Sequence, residues 1–237
     1  MGRHWCAREK VPNTVWIKAS LQIMSLISQI FIYAIPILLA VSMHEAAHGW
    51  VAHLLGDSTA KQLGRLTANP LKHIDPIGTV AVPLVLILVA GFPFGWAKPV
   101  PVDVSNFQHP QKDMALVALA GPASNFFMAI CWMLVMLLAI KVLPASNLAM
   151  ILKEMAKMGV FFNIVLMVLN LLPVPPLDGG RIVTGVLPFK AAVFFARYEL
   201  IGLLLVIFLL ASGFLGKILM PAVQAVQANL YAIFGLG

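Results

Sequence analysis

The chain has 237 residues, of which 61% are hydrophobic and only 11% charged, with a formal net charge of +7. Soluble domains carry about 25% charged residues, so this composition excludes an ordinary soluble domain and points to a single polytopic membrane unit. No run of five basic residues accompanies the positive charge, which excludes a nucleic-acid footprint and assigns the Lys and Arg residues to loops that anchor cytoplasmic faces.

A basic N-terminal tail over residues 1–20 comes first, containing Arg3, Arg8, Lys10 and Cys6. The stretch from Ala19 to about Leu55 follows, with no Lys or Arg between Lys18 and Lys61. It is too long for a cleavable signal segment and reads as a retained first span. One helix of about 35 residues would be roughly 50 Å long, more than the hydrocarbon core needs. Pro36 therefore predicts a kink, an interfacial first turn or a hairpin hidden in the segment. Gly56-Asp57 is the expected stop.

Within this span lies His44-Glu45-Ala46-Ala47-His48. Ionisable groups at membrane depth cost a few kcal/mol each. Residues four apart share a helix face, so His44 and His48 can present two imidazoles to one metal ion. Glu45, about 100° round the helix, can take a proton from metal-activated water. Without a metal, the histidines would rest on backbone carbonyls and Glu45 on a cation, but the sequence offers no local cation. A catalytic zinc needs a third protein ligand. Position 54 is Leu54, so a third histidine at the metzincin spacing is absent. His53 points off the ligand face and reads as an interfacial polar residue, while His73 and Asp75 are loop candidates without a helical scaffold.

Residues 57–75 are polar and Pro/Gly-punctuated, and short strands or an ordered loop fit them. Residues 77–97 are apolar and end in Gly-Phe-Pro-Phe-Gly; they read as a span or a re-entrant segment. A Pro-rich loop containing Trp96, Pro99 and Pro101 follows. It and the 57–75 loop predict either an edge strand that holds an extended peptide or a plug over the site. The next apolar run, Met114 to Ile140, carries Gly121-Pro122-Ala123-Ser124-Asn125 and Cys131. Gly121 and Ser124 suggest close helix packing, Asn125 either a brace for the site or an interhelical bond, and Cys131 a small buried hydrophobe. Lys153, Glu154 and Lys157 mark a solvated face. The run from about Met158 ends in Asn170-Leu171-Leu172-Pro173-Val174-Pro175-Pro176-Leu177-Asp178-Gly179-Gly180. The prolines end the helix and the glycines allow close backbone approach. That makes Asp178 the best candidate for a third ligand, with a helix N-cap as its other reading. Apolar stretches over 200–216 and 218–236 complete an all-α membrane protein of five to six transmembrane or re-entrant segments with a short β/loop element after the histidine helix. The embedded domain covers 21–237, with a catalytic core at about 25–190 and C-terminal helices over 198–236.

HEAAH together with Asn170, Pro173 and Asp178-Gly179-Gly180 resembles the site-2 protease family of intramembrane zinc metalloproteases. Gly121-Pro122-Ala123-Ser124-Asn125, GRLTANPLKHIDPIGT and FGWAKPVPV are similar to motifs of its small bacterial members, and no PDZ or CBS domain is visible. The resemblance implies one Zn²⁺ held by His44, His48 and Asp178, with Glu45 as general base and Asn170 binding substrate or supporting the oxyanion. It also implies a membrane-spanning protein or peptide as substrate, a regulatory membrane protein as a further partner, and a place in the bacterial inner membrane. The site would lie near the cytoplasmic face, which sets Lys61, Arg65, Lys72, Arg181, Lys190 and Arg197 inside. A single first span would then put the basic tail outside. The competing functions are a transporter or metal permease using the intramembrane His, Glu and Asp, and a catalytically silent binding subunit.

Overall fold

The computed structural model of the protein describes residues 13–82, 85, 98–143 and 146–236. The long helices are α1 (Asn13–Leu54), α3 (Pro110–Lys141), α4 (Asn147–Asn170), α7 (Glu199–Ala211) and α8 (Phe214–Ile233). Shorter ones are α2 (Thr59–Gln62), α5 (Asp178–Val186) and α6 (Phe189–Ala196). Among the described residues there is no strand. The 57–75 segment is an ordered loop of α2 and a tight helical turn at Pro70–Lys72, so the loop reading holds there and the strand reading does not. The basic tail through residue 12, most of the 77–94 segment and Trp96 lie outside the described residues.

The first segment contains no hairpin. Helix α1 runs 42 residues without a break, with Pro36 inside it and buried. Membrane helices tolerate such a proline when neighbours compensate the lost backbone bond. It stops where the sequence indicates: Gly56 takes a φ of 112°, a left-handed conformation open to glycine, and the Asp57 N–H reaches back 2.9 Å to the Ala52 carbonyl.

Among the described residues, two helical stretches are long and apolar enough to cross a bilayer: Phe31–Leu54 and Pro110–Lys141, with mean hydropathy 1.3 and 2.1. A third arises if α6 and α7, bent by 52° at their junction, act as one broken span. The protein is thus an integral membrane protein, with two to three such helices among its described residues. Helix α4 is long enough but carries Lys153, Glu154 and Lys157 in its first half, and α8 carries Lys217, Gln224, Gln227 and Asn229. Phe31, Phe127, Leu134 and Phe208 point outward, as lipid-facing side chains do.

In lipid, helices associate through close packing and hydrogen bonds rather than hydrophobic transfer. Trp132, Met133 and Met136 of α3 pack with Ala156, Val160 and Ile164 of α4 and Val223 of α8. Gly159 admits the Trp132 ring, which a Cβ there would overlap. Cys131, expected to be buried, is only half-buried in α3, because the buried face of that turn belongs to Trp132 and Met133. On the other side, Val206 of α7 and Leu215 and Leu219 of α8 pack with Leu172, Val174 and Leu177. Gly202 of α7 lies so close to the Pro175 carbonyl that no side chain fits between them. The C-terminal helices therefore hold the proline segment that leads into Asp178.

Asp57 ties the two loops together. It is fully buried. One carboxylate oxygen accepts from the Thr59 N–H at 3.0 Å and the Asn106 amide at 2.9 Å; the other accepts from the Asp103 N–H at 2.8 Å. Burial alone would raise the carboxyl's pKa, but the bonds from Thr59, Asp103 and Asn106 outweigh it and hold it below its ordinary value. A carboxyl with a lower pKa folded than unfolded stabilises the fold above the ordinary carboxylate range. That contribution disappears as pH falls through the folded value. Asp57→Asn is expected to cost about 1–3 kcal/mol at neutral pH. In thermal melts in detergent, the gap between wild type and Asp57→Asn narrows as the pH is taken below the carboxylate range.

A candidate metal centre

Helix α1 presents His44 and His48 one turn apart, with their Nε2 atoms 3.0 Å from each other. Asp178, the first residue of α5, brings Oδ2 to 3.2 Å from His44 Nε2 and 3.4 Å from His48 Nε2. The intervening chain gets it there by breaking twice. Helix α4 ends at Asn170, and tight turns follow, with Val174 N–H bonding to Leu172 O and Leu177 N–H to Val174 O. A Cβ on Gly180 would lie 2.7 Å from the Pro175 nitrogen, and one on Gly179 would run into the Leu171 and Leu172 carbonyls. The pair of glycines therefore lets α5 fold back onto the end of α4. Asp178 is not a capping residue. The helix starts at Asp178 itself, and no side-chain cap bond is made.

The protonation of the two rings follows from their other nitrogens. His44 Nδ1 lies 2.6 Å from Asn125 Oδ1, and His48 Nδ1 lies 2.7 Å from the Val117 carbonyl. Asn125 donates its Nδ2 to Ala40 O and Asn163 Oδ1, so its oxygen is the atom facing His44. Both Nδ1 atoms meet acceptors and must carry the hydrogens. In the neutral imidazoles, the form that binds metal, both Nε2 atoms are then bare, and they face each other and a carboxylate oxygen. Asp178 Oδ2 is buried and receives no hydrogen bond. Three lone pairs converging in a buried space repel one another unless a cation sits between them. Two ligand atoms each 2.0–2.1 Å from zinc at a tetrahedral angle lie roughly 3.3 Å apart, which the observed 3.0–3.4 Å separations match. The donor set therefore fits zinc, with outer partners on both imidazoles as metal-binding histidines require.

Gly121 of α3 makes room for this arrangement. A Cβ there would come within 2.5 Å of His44 Cε1 and 2.6 Å of His48 Nε2. Its close packing, anticipated as helix against helix, is against the imidazoles. Gly121→Ala is expected to push the rings apart and cut zinc content and proteolysis by at least about tenfold, comparable to loss of an outer-shell partner. Metal analysis of the purified variant checks this. Ser124 bonds to the Gly121 carbonyl at 2.8 Å, within its own helix.

Glu45 does not join the cluster. Its Oε2 accepts the Val100 N–H at 2.9 Å. The Val100 side chain is wedged against Gly49 and is buried. Lys98 N–H bonds to His73 O at 2.9 Å, and buried His73 places Nε2 2.8 Å from Thr67 O. The two loops are thus joined beside Glu45. Asn170 donates to the Leu166 carbonyl at 3.0 Å within α4. His53 contacts Ser58 and Lys61, and Asp75 caps the turn at Pro76 through the Ile77 and Gly78 N–H groups. Among the described residues, His44, His48 and Asp178 alone form a three-membered group able to hold a metal, so His53, His73 and Asp75 stand outside it. Sequence reading missed Asn163 and the Val117 carbonyl. The only signal for Asn163 is an amide in an apolar run, and a backbone carbonyl gives none.

The model of peptidase family M50 matches residues 138–212, which include Asp178 and helices α4 to α7. YwhC of Bacillus subtilis, named as a zinc metalloprotease, is 37% identical over 202 residues, 84% of this chain and 89% of its own length. Rip2 of Mycolicibacterium smegmatis, also named as a zinc metalloprotease, is 32% identical over 142 residues, and the match spans about half of it, 52%. No solved structure matches the chain. With a relative of this identity aligned over nearly its whole length, the chain belongs to peptidase family M50, the site-2 protease type of intramembrane zinc metalloprotease.

Proposed function

We propose that His44, His48 and Asp178 hold one Zn²⁺ and that Glu45 is the general base for hydrolysing peptide bonds of membrane-spanning substrates within or near the bilayer. The observation that carries this is the convergence of two bare imidazole nitrogens and one orphaned carboxylate oxygen. Zinc, when bound, supplies Lewis acidity that activates water and steadies negative charge on the carbonyl oxygen. Glu45 takes the proton from the attacking water as its oxygen bonds to the scissile carbon. It then returns that proton to the leaving amine as the C–N bond breaks. Asn170, at the end of α4, turns its amide from the Leu166 carbonyl to the oxyanion. The Val100 contact to Glu45 supports the 98–103 loop as a plug that substrate displaces.

The reading extends to a single embedded domain over 21–237 with five to six membrane segments. The catalytic core runs over about 25–190, with the helices of 198–236 bracing the proline segment. It places the protein in the bacterial inner membrane and gives it a regulatory membrane protein as partner. The test is co-expression with tagged membrane proteins, wild type against Glu45→Gln, with zinc measured on both. Equal cleavage by the two would sink the proposal.

A further inference from the structure

Asn125 and Asn163 are both fully buried, on adjoining helices, and form one chain of hydrogen bonds that ends at His44. Asn163 Nδ2 donates to the Gly159 carbonyl at 2.8 Å, which turns Asn163 Oδ1 toward Asn125. Asn125 Nδ2 donates to that oxygen at 3.1 Å and, over a longer 3.3 Å, to Ala40 O. Asn125 Oδ1 then faces His44 Nδ1 at 2.6 Å. Two amides sealed between helices are costly unless every polar atom is paired, and here they are.

We propose that Asn163 is a positioning residue for the metal centre: by fixing the orientation of the Asn125 amide, it fixes the His44 tautomer that leaves Nε2 free. This rests on the ligand assignment above. An Asn side chain can rotate to exchange its oxygen and nitrogen at little steric cost. Reversed, Asn125 would point an N–H at His44 Nδ1. The ring would answer by moving its hydrogen to Nε2, where it blocks a metal. Asn163 Oδ1, the nearer acceptor at 3.1 Å against 3.3 Å for Ala40 O, contributes most to making the reversed state unfavourable, because the Asn125 oxygen would then face both.

The test measures zinc affinity of the purified full chain in detergent by competition with a chromogenic chelator, together with melting of the metal-free protein. Asn163→Leu removes the acceptor and is expected to weaken zinc binding about tenfold, within the range for outer-shell partners. Asn163→Asp, neutral when buried, can donate to Gly159 O and accept from Asn125; it is expected to stay within about threefold of wild type on the same scale. Asn125→Leu with Asn163→Leu is expected to bind zinc no more weakly than Asn125→Leu alone, since residues acting through one another are not additive. Nitrogen NMR of the metal-free protein is expected to show the His44 hydrogen on Nδ1 in wild type and Asn163→Asp and a shift toward Nε2 in Asn163→Leu. Additive losses in the double variant, or an unchanged His44 tautomer in Asn163→Leu, overturn the proposal. If Asn163→Leu does not fold, a tenfold loss in Asn163→Asp with unchanged melting overturns it as well. Zinc and tautomer are read without substrate, so these results are separate from whether a given membrane protein is cleaved.

Discussion

Glu45→Gln is expected to lower cleavage of a membrane substrate by on the order of 10²–10⁴-fold, the usual contribution of a positioned general base, while zinc content stays at the wild-type level. Both halves follow from the site. Glu45 lies outside the three converging donors, so its loss leaves the metal set intact. Its described hydrogen bond is an acceptor bond from the Val100 N–H. A glutamine oxygen can accept the same bond, so the loop beside the site keeps its anchor and the fold is not disturbed. What glutamine lacks is a lone pair basic enough to take a proton from water. Cleavage with a tagged substrate and metal analysis on the same preparation check the two halves together. A transporter would instead show flux that survives the change, and a silent binding subunit would show no functional change at all.

Asp178→Ala is expected to weaken zinc binding by more than about 100-fold, beyond the range for outer-shell partners, and to abolish cleavage with it. The carboxylate contributes the one formal negative charge among the three donors, and its Oδ2 has no hydrogen bond to fall back on. Removing it leaves two bare nitrogens 3.0 Å apart with only each other to face. The rings would then separate or take up protons. Asp178→Asn keeps the shape and serves as a control for folding, since Gly179 and Gly180 and the packing of α7 against Pro175 hold the segment independently of the carboxylate. It is expected to melt near wild type yet lose zinc on gel filtration. Chelator competition and metal analysis distinguish these outcomes. Zinc retention by Asp178→Ala would remove Asp178 from the ligand set.

The local chemistry of the site was legible because it follows from short-range geometry. Two histidines four apart on an apolar helix must share a face. The stop at Gly56-Asp57 and the break at Pro173–Pro176 follow from backbone sterics that proline and glycine impose. Asp178 was legible as a ligand candidate for the same reason, although its joining to the histidines spans about 130 residues of chain.

The tertiary structure alone decided which faces meet. Small residues at Gly121 and Gly202 allow close contact, but nothing local says that one receives two imidazoles and the other a proline carbonyl. Asn125 could brace the site or join helices, and docking of α1, α3 and α4 makes it do both. Asn163 had no role until α4 packed on α3. Composition and periodicity by themselves determined a helical membrane protein with a paired-histidine helix and a carboxylate at a helix break, because covalent geometry and lipid enforce those features locally. The outer partners of the imidazoles and the tautomers they impose came only with the fold, because a hydrogen bond between helices depends on rotation and register that no single helix encodes.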